Sequence, residues 1–387
     1  MKLSRVELFP VALPRRREHT WAGNRVAIGT YLIVRLHTDD GLTGVGEAPA
    51  LPDWGGDYDR YYGETPATAA HLIENLLFPA IEGMDPRNIS AIHSRMDVVL
   101  KGHPFTKTAI DVACYDLAGK AAGLPVHMLL GGKLRDTVAI AHSFGSNLSP
   151  DEAVAEAEKV INEGVTNLKL KVGIDYHRDL ELVRRFRELG GTAVTIHADA
   201  NKGWPDPKTA ARCINRLDEY DLDFIEQPCG GIDELREIRR LVSCRVMADE
   251  SAWSARDVYD LARTQAVDMI SIYVTKAGGL HKAQKVAAVC DAVGFPANLN
   301  GGLETGVGNA ANLHFAASSL PVTMPSVLMV NAPKGQNPTE IANRYYLDDI
   351  VTTPFGYREG ALVVSDLPGL GIELDDEKIS FYRADKK

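Results

Sequence analysis

Four short stretches decide the fold: NLKLKVG (167–173), TIHADAN (195–201), DFIEQP (223–228) and RVMADES (245–251). Each is a run of β-type apolar residues that meets charge. The first carries Lys169 and Lys171, and the others close on Asp199, Glu226 and Asp249. From Lys171 onward these positions are 28, 27 and 23 residues apart, the length of one strand, one helix and their loops. Such repetition predicts a parallel sheet that delivers its charged residues to one rim.

The alternation extends on both sides. Strands are expected at TVAIAHSF, TNLKLKV, AVTIHAD, LDFIEQ, CRVMAD, DMISIYV, FPANLN and PVTMPSV, with amphipathic segments such as DEAVAEAEKVINEG between them. Eight strands at this spacing predict a (β/α) barrel over residues 131–328. Residues 1–130 read differently, as an antiparallel meander to residue 48 followed by helices, hence a separate α+β domain. Thr65 and Thr68 offer caps for a helix through Leu77, a second helix is expected near Asp85-Pro86, and a third runs from Pro104 to Gly123. In residues 329–387 the alternation stops. A hairpin at YREGALVV is expected to pack back on the first domain, since a lone hairpin is not stable.

Composition narrows the function. The 387 residues are 45% apolar, enough for a large core, and carry a formal net charge of -10. That balance argues against nucleic acid as a partner. No apolar run is long enough to span a bilayer. The five scattered cysteines form no CxxC pair, and the strand-like N-terminus lacks a signal-peptide core, so a cytoplasmic protein is expected.

Asp and Glu are poor strand residues, and three at consecutive strand ends need a reason. Capping of the next helix would explain one. Three converging carboxylates without His or Cys favour a hard cation, Mg²⁺ or Mn²⁺. Lys169 and Lys171 are two apart, so they share one face of a strand. Mutual repulsion is expected to depress the pKa of one, making it a base near neutral pH. Together these parts suit proton abstraction next to a carboxylate, with ion and ammonium stabilising the enediolate.

The motifs KLK (169–171), DAN (199–201), EQP (226–228) and ADE (248–250) resemble those of the enolase superfamily, in its muconate-lactonising subgroup. The likeness extends to GHPFTKTAIDVACYDLAGKAAGLPVHMLLGG and to the tail DLPGLGIEL. It implies a (β/α)7β barrel, a capping domain built from both chain ends, and a homo-oligomer. It also implies Mg²⁺ on Asp199, Glu226 and Asp249, Lys171 as acid/base and Lys169 as its electrostatic partner, with Asn201, Glu250 and Lys276 nearby. One position departs from the subgroup: five residues before Gly278-Gly279 stands Tyr273, where a second lysine is expected. Asn298 and Asn300 replace the paired acids of dipeptide epimerases, and Asn300 stands where the mandelate-racemase branch carries histidine.

Those departures favour one-base chemistry on a small carboxylate substrate, either cycloisomerisation or dehydration. A racemase or epimerase using Tyr273 or Lys276, and a metal-binding homologue without turnover, remain alternatives. Candidate substrate contacts are Trp21, Trp54, Tyr58 and Asn300, with Tyr61 and Tyr62 in the same aromatic loop. Arg15, Arg16, Arg17 and Arg25 are candidates to pair a second carboxylate. The segment GGLETGVG (301–308) reads as a strand-to-helix loop.

Overall fold

The computed structural model describes residues 1–24, 27–49 and 51–385. Strands β1 (Leu3–Ala12), β2 (Thr30–Thr38) and β3 (Thr43–Pro49) form an antiparallel sheet in that order. Helix Pro104–Ala122 lies against it and ends at Gly123 in a left-handed conformation. The contact with β3 is backbone on backbone. A Cβ on Gly46 would stand 2.0 Å from the Ala109 carbonyl oxygen, and one on Gly44 2.3 Å from that of Ala113. These glycines are two apart and so bare one face of the strand to the helix. Thr65 caps helix Pro66–Leu72. Helical turns continue through Ile81, and the helix expected near Asp85-Pro86 starts later, as Ile89–Val99, because the Asp85 carboxylate is taken up by Arg87 in a turn.

The run 137–144 divides. Strand β4 (Thr137–Ala139) leaves to pair with a C-terminal hairpin, and β5 (Ala141–Phe144) opens the parallel sheet. The sheet continues through β6 (Asn167–Lys171), β7 (Thr195–Asp199), β8 (Phe224–Glu226), β9 (Arg245–Ala248), β10 (Met269–Ile272) and β11 (Ala297–Leu299) in consecutive order. The expected eighth strand, 321–327, is not a regular strand, because Pro321 and Pro325 have no N–H for a ladder. It still closes the barrel. Ala297 N donates to Pro321 O (2.8 Å) and Val327 N to Leu299 O (2.9 Å) on one side, and Ala141 N donates to Ser326 O (2.8 Å) on the other. The intervening helices start at side-chain caps written in the sequence: Ser149 with Glu152, Asp175, Asp206, and Ser254 with Asp257.

Alternation along the strands settles which face is inside. Leu168, Leu170, Ile196, Ala198, Ile225, Val246, Ala248, Ile270 and Leu299 pack outward under the helices, in the main apolar core. The other parity turns inward. Phe224, Met247 and Met269 make a small apolar plug of their own, and the charged residues lie beyond it at the strand ends.

Hairpin β12 (Tyr357–Arg358) and β13 (Ala361–Val363) pairs with β4 rather than with the first domain, because β4 presents the unpaired edge it needs. The chain on either side of it does reach the first domain: Leu347 N donates to Pro14 O (2.8 Å), and Val11 bridges Arg383. Among the described residues no helix is long and apolar enough to cross a membrane.

Two buried carboxyls meet where domain and barrel join. Glu47, at the end of β3, accepts from Thr305 N (3.1 Å), Thr305 Oγ1 (2.6 Å) and Gly308 N (2.9 Å) at the start of helix Gly306–Ser318. Burial, then the nearby Glu304, pushes the Glu47 carboxyl up to about 8 despite those bonds. Its folded value lies above its ordinary one, so it favours folding below pH ~4.5, and that contribution is lost as pH rises toward 8. Glu47→Gln is expected to flatten this fall, read as urea-unfolding free energy between about pH 5 and pH 8. Gly46→Ala is expected to lower stability by about 1–3 kcal/mol, through overpacking against helix Pro104–Ala122. An unchanged urea midpoint would show that the helix can retreat.

Candidate active site

Register brings the charged residues together. Lys171, Asp199 and Glu226 pair across β6, β7 and β8, and Glu226 pairs with Met247, two residues before Asp249. All four therefore share the inward face at the carboxyl rim. Asn201 and Gln227, just past the acids, adopt left-handed backbone angles (φ 44 and 38) that turn the chain sharply away.

The acids and lysines interlock. Lys169 Nζ lies 2.7 Å from Glu226 Oε2 and 2.9 Å from Asp199 Oδ2. Lys171 Nζ donates to Asp199 Oδ2 (2.6 Å) and Asn201 Oδ1 (2.7 Å). Lys276 Nζ donates to Asp249 Oδ1 (2.6 Å), Asp249 O (2.7 Å) and Ser271 O (2.9 Å). Asn201 Nδ2 reaches Glu250 Oε1 (3.2 Å), whose other oxygen is buried without a partner. Asn300 Nδ2 donates to Glu226 Oε1 (2.9 Å) and Ser271 Oγ (2.8 Å). Gln227 is a brace that motif reading passes over, although it stands inside EQP: its Oε1 accepts from Asp249 N (2.8 Å) and Ser251 N (3.2 Å).

Burial works against the Lys169 ammonium, but Asp199, Glu226 and Asp249 outweigh it, and its pKa rises. Attraction to three acids exceeds repulsion from one neighbouring lysine. Asp199, also fully buried, is held well below the usual carboxylate range by Lys169 and Lys171. Burial, then Asp199, pushes Glu226 up to about 7, and burial, then Asp249, pushes Glu250 up to about 8.

Tyr273 begins the turn after β10. In the eight-membered ring β10 stands opposite β6, so Tyr273 faces Lys171. Its hydroxyl donates to Asp249 Oδ2 (3.1 Å), its ring stacks on Trp54 (5.4 Å), and Lys276 lies 4.6 Å over it. Burial and the surrounding acids raise its pKa well above the ordinary value, so the phenol stays protonated.

Above the rim is a cavity of about 490 Å³, including its open mouth. The first domain contributes His19, Trp21, Leu51 and Trp54. Lys169, Lys171, Asn201, Tyr273 and Asn300 line it from the barrel, with Ser143 and the loop 301–303. Trp21 lies over Lys171 (5.7 Å), and Trp54 is wedged among Phe105, Trp253 and Tyr273.

The other aromatics of that loop do not reach the cavity. Tyr58 is 81% exposed, because its left-handed backbone turns it outward to Glu234. Tyr61 stacks on the far side of Trp253 and donates to Asp257 (2.9 Å), and Tyr62 is exposed beside His103. The arginines are engaged elsewhere: Arg15 with Glu18, Arg16 with Asn343 O, and Arg17 with Glu156. Arg25 lies outside the described residues. His19 and Ser143 line the cavity with no motif to announce them; only the folded chain places them there.

The carboxylates suit a hard cation chemically, being three fully buried oxygen donors from adjacent strands beside an unpartnered Glu250 oxygen. In this arrangement ammonium groups bridge them, and among the described residues no three acid, His or Cys side chains gather around one point.

This capped barrel with its lysine–carboxylate rim matches two family models. Residues 5–131 match "Mandelate racemase / muconate lactonizing enzyme, N-terminal domain", and residues 152–378 match "Enolase C-terminal domain-like". The chain belongs to the enolase superfamily, in its mandelate racemase/muconate lactonising branch. It is 34% identical to the cis-3-hydroxy-L-proline dehydratase of Roseibium aggregatum, covering 96% of each chain. It is 30% identical to the N-succinyl-L-Arg/Lys racemase of Bacillus cereus, covering 98% of this chain and 97% of that one. Among solved structures it is similar to the muconate lactonizing enzyme of Pseudomonas fluorescens complexed with muconolactone (TM-score 0.89, 29% identity, 99% of each chain). It is also similar to the dipeptide epimerase of Enterococcus faecalis complexed with Mg and the dipeptide L-Leu-L-Tyr (TM-score 0.85, 30% identity, 96% and 100% covered).

Lys276→Met removes the cation from a fully buried Asp249. It is expected to cost about 3–5 kcal/mol of stability in urea unfolding.

Proposed function

We propose that this protein abstracts the proton α to a substrate carboxylate with Lys171 as the single base. The reaction is then a β-elimination on that face or its reverse, namely dehydration of a hydroxy acid or cycloisomerisation. The observation that carries this reading is the phenol of Tyr273 where a two-base enzyme needs an amine. A protonated tyrosine bonded to Asp249 cannot receive a proton from the opposite face. Lys276 is no substitute, since it lies beneath the Tyr273 ring and, unlike Lys171, does not line the cavity.

Asp199, Glu226 and Asp249 would hold Mg²⁺ or Mn²⁺, which when bound supplies Lewis-acid stabilisation of the negative charge developing on the substrate carboxylate. Lys169, which lines the cavity while paired to Glu226, would add a positive charge toward the same substrate carboxylate. Lys171 in its amine form takes the α-proton, and Asn201 orients its nitrogen. The resulting ammonium returns that proton to the departing β-oxygen on the same face, so that water leaves from a hydroxy acid. Trp21 and Trp54 wall the cavity with apolar surface, which limits water beside these groups and strengthens their interactions. Dehydratase and cycloisomerase relatives support the reading.

In D₂O with Mg²⁺, the wild type is expected to exchange the α-proton of one stereoisomer with retention. Lys171→Met should lose about 10²–10⁴-fold in that rate, the usual contribution of general acid–base catalysis, whereas Tyr273→Phe should stay within about tenfold. Exchange with inversion would sink the one-base reading and favour the racemase alternative. Exhaustive EDTA treatment should abolish exchange and added Mg²⁺ restore it; activity that survives EDTA would remove the cation from the mechanism.

A further inference from the structure

The turn after β7 carries a lysine that the proton transfer does not use. Asn201 and Lys202 are consecutive non-glycine residues in the left-handed region (φ 44 and 62). Such backbone is uncommon for a long side chain and persists only where its surroundings impose it. Lys202 N donates to Gln227 O (2.8 Å) and Gly203 N to Ala200 O (2.7 Å), which fixes the reversal. The two side chains then part. Asn201 turns to Lys171 and Glu250, while Lys202 crosses to the first domain. Its Nζ donates to Gly55 O (3.0 Å) and Gly56 O (3.4 Å).

Those two carbonyls directly follow Trp54, which lines the cavity and stacks on Tyr273. Loop 51–63 is a closed unit, as compact Ω-loops are. Gly56 N donates to Tyr61 O (3.0 Å), and a Cβ on Gly55 would stand 2.4 Å from Tyr61 O. A Cβ on Gly63 would stand 2.1 Å from Leu51 O, so the two limbs lie backbone on backbone. Arg60 and Tyr61 tie the far limb to Asp257 (2.7 and 2.9 Å). Among the described residues, Lys202 is the barrel side chain that hydrogen-bonds to the limb carrying Trp54. The loop also brings it a counter-charge. Asp57 Oδ1 is buried without a hydrogen-bond partner, and a Cβ on Gly230 would stand 3.3 Å from that oxygen and 3.4 Å from Lys202 Cδ. An ammonium on two carbonyls beside a carboxylate holds more firmly than a neutral donor.

We infer that Lys202 is a positioning residue: its ammonium latches loop 51–63 to the barrel and so holds Trp54 against Tyr273 over the site. Without the latch the Trp54 limb lifts, and the wall opposite Lys171 loses its backing. The inference rests on the reading above only in that Lys171 acts beneath this wall.

Amide hydrogen exchange of the full-length protein with Mg²⁺, read by mass spectrometry, tests the latch without a substrate. Lys202→Met keeps the stem and removes the ammonium. Peptides from 51–63 should exchange tenfold or more faster than in the wild type, while those from β1 and helix Pro104–Ala122 stay within twofold. Lys202→Gln, neutral and too short, should match it and decides the matter if Lys202→Met does not fold. Lys202→Arg, which keeps charge and donors, should stay within threefold. Acrylamide quenching of tryptophan fluorescence should rise twofold or more in Lys202→Met and not rise further when the same change is made in Trp54→Phe. Loop exchange within threefold in both neutral variants would overturn the latch, as would equal acceleration in Lys202→Arg or a rise in quenching that survives Trp54→Phe. α-Proton exchange in D₂O is measured in parallel on cis-3-hydroxyproline and N-succinyl-lysine. On a probe that the wild type exchanges, Lys202→Met should raise KM fivefold or more with kcat within threefold, the mark of lost substrate positioning. An unchanged KM would overturn the positioning role. A wild type that exchanges neither probe, with the loop loosened as expected, counts against Lys171 as base and leaves the latch standing.

Discussion

Asp199 and Lys169 are both buried at the mouth of the barrel, 2.9 Å apart, and neither would tolerate that position without the other. Stripping water from a lone carboxylate or ammonium costs several kcal/mol, and only close pairing offsets it. The same condition governs Lys171, Glu226, Asp249 and Lys276, so the rim is a lattice in which each charge is held by at least one of opposite sign. The lattice depends on strand geometry. Side chains alternate, and each inward charge is matched by an outward Leu, Ile, Val or Ala under a helix. A slip of one residue in β7 would put Asp199 into the apolar layer and Ala198 into the rim. The core and the charged site are therefore specified by one register.

The first domain completes the site from above. The glycines of β3 let helix Pro104–Ala122 lie flush on the sheet, and that helix carries Phe105, on which Trp54 stacks. Trp54 in turn packs against Tyr273, so the cap and the face opposite Lys171 are held by one aromatic stack. On the other side, the loop of His19 and Trp21 is stitched to the barrel at residues 145–147. The cavity is thus a joint product of the two domains, with the lysines on the barrel and His19, Trp21, Leu51 and Trp54 on the cap.

Some of this was legible in the chain itself. The strand-end acids, the lysine pair and their spacing predict the parallel barrel and its carboxyl rim, because strand period and βα-unit length are local properties. Helix starts at Ser149, Asp175, Asp206 and Ser254 follow from side-chain caps, which are local too. Other readings needed longer-range information. Pro321 and Pro325 turn the eighth strand into a pair of bridges, and the free edge of β4 draws in the C-terminal hairpin. The lysine pair alone does not say that the Lys169 pKa rises; that follows from three acids brought in by other strands.

The sequence by itself determined the alternation of strands and helices, the branch of the superfamily, and the residue types gathered at the rim, since these rest on periodicity and short motifs. It also marked Tyr273 and Asn300 as departures. Only the tertiary structure decided which groups face the cavity. Tyr58, Tyr61, Tyr62 and Arg15–Arg17 turn to other partners, while His19 and Ser143, from opposite domains and over a hundred residues apart, share one wall of the cavity. Which side of a loop faces inward depends on what packs behind it, and that is settled by contacts between distant parts of the chain.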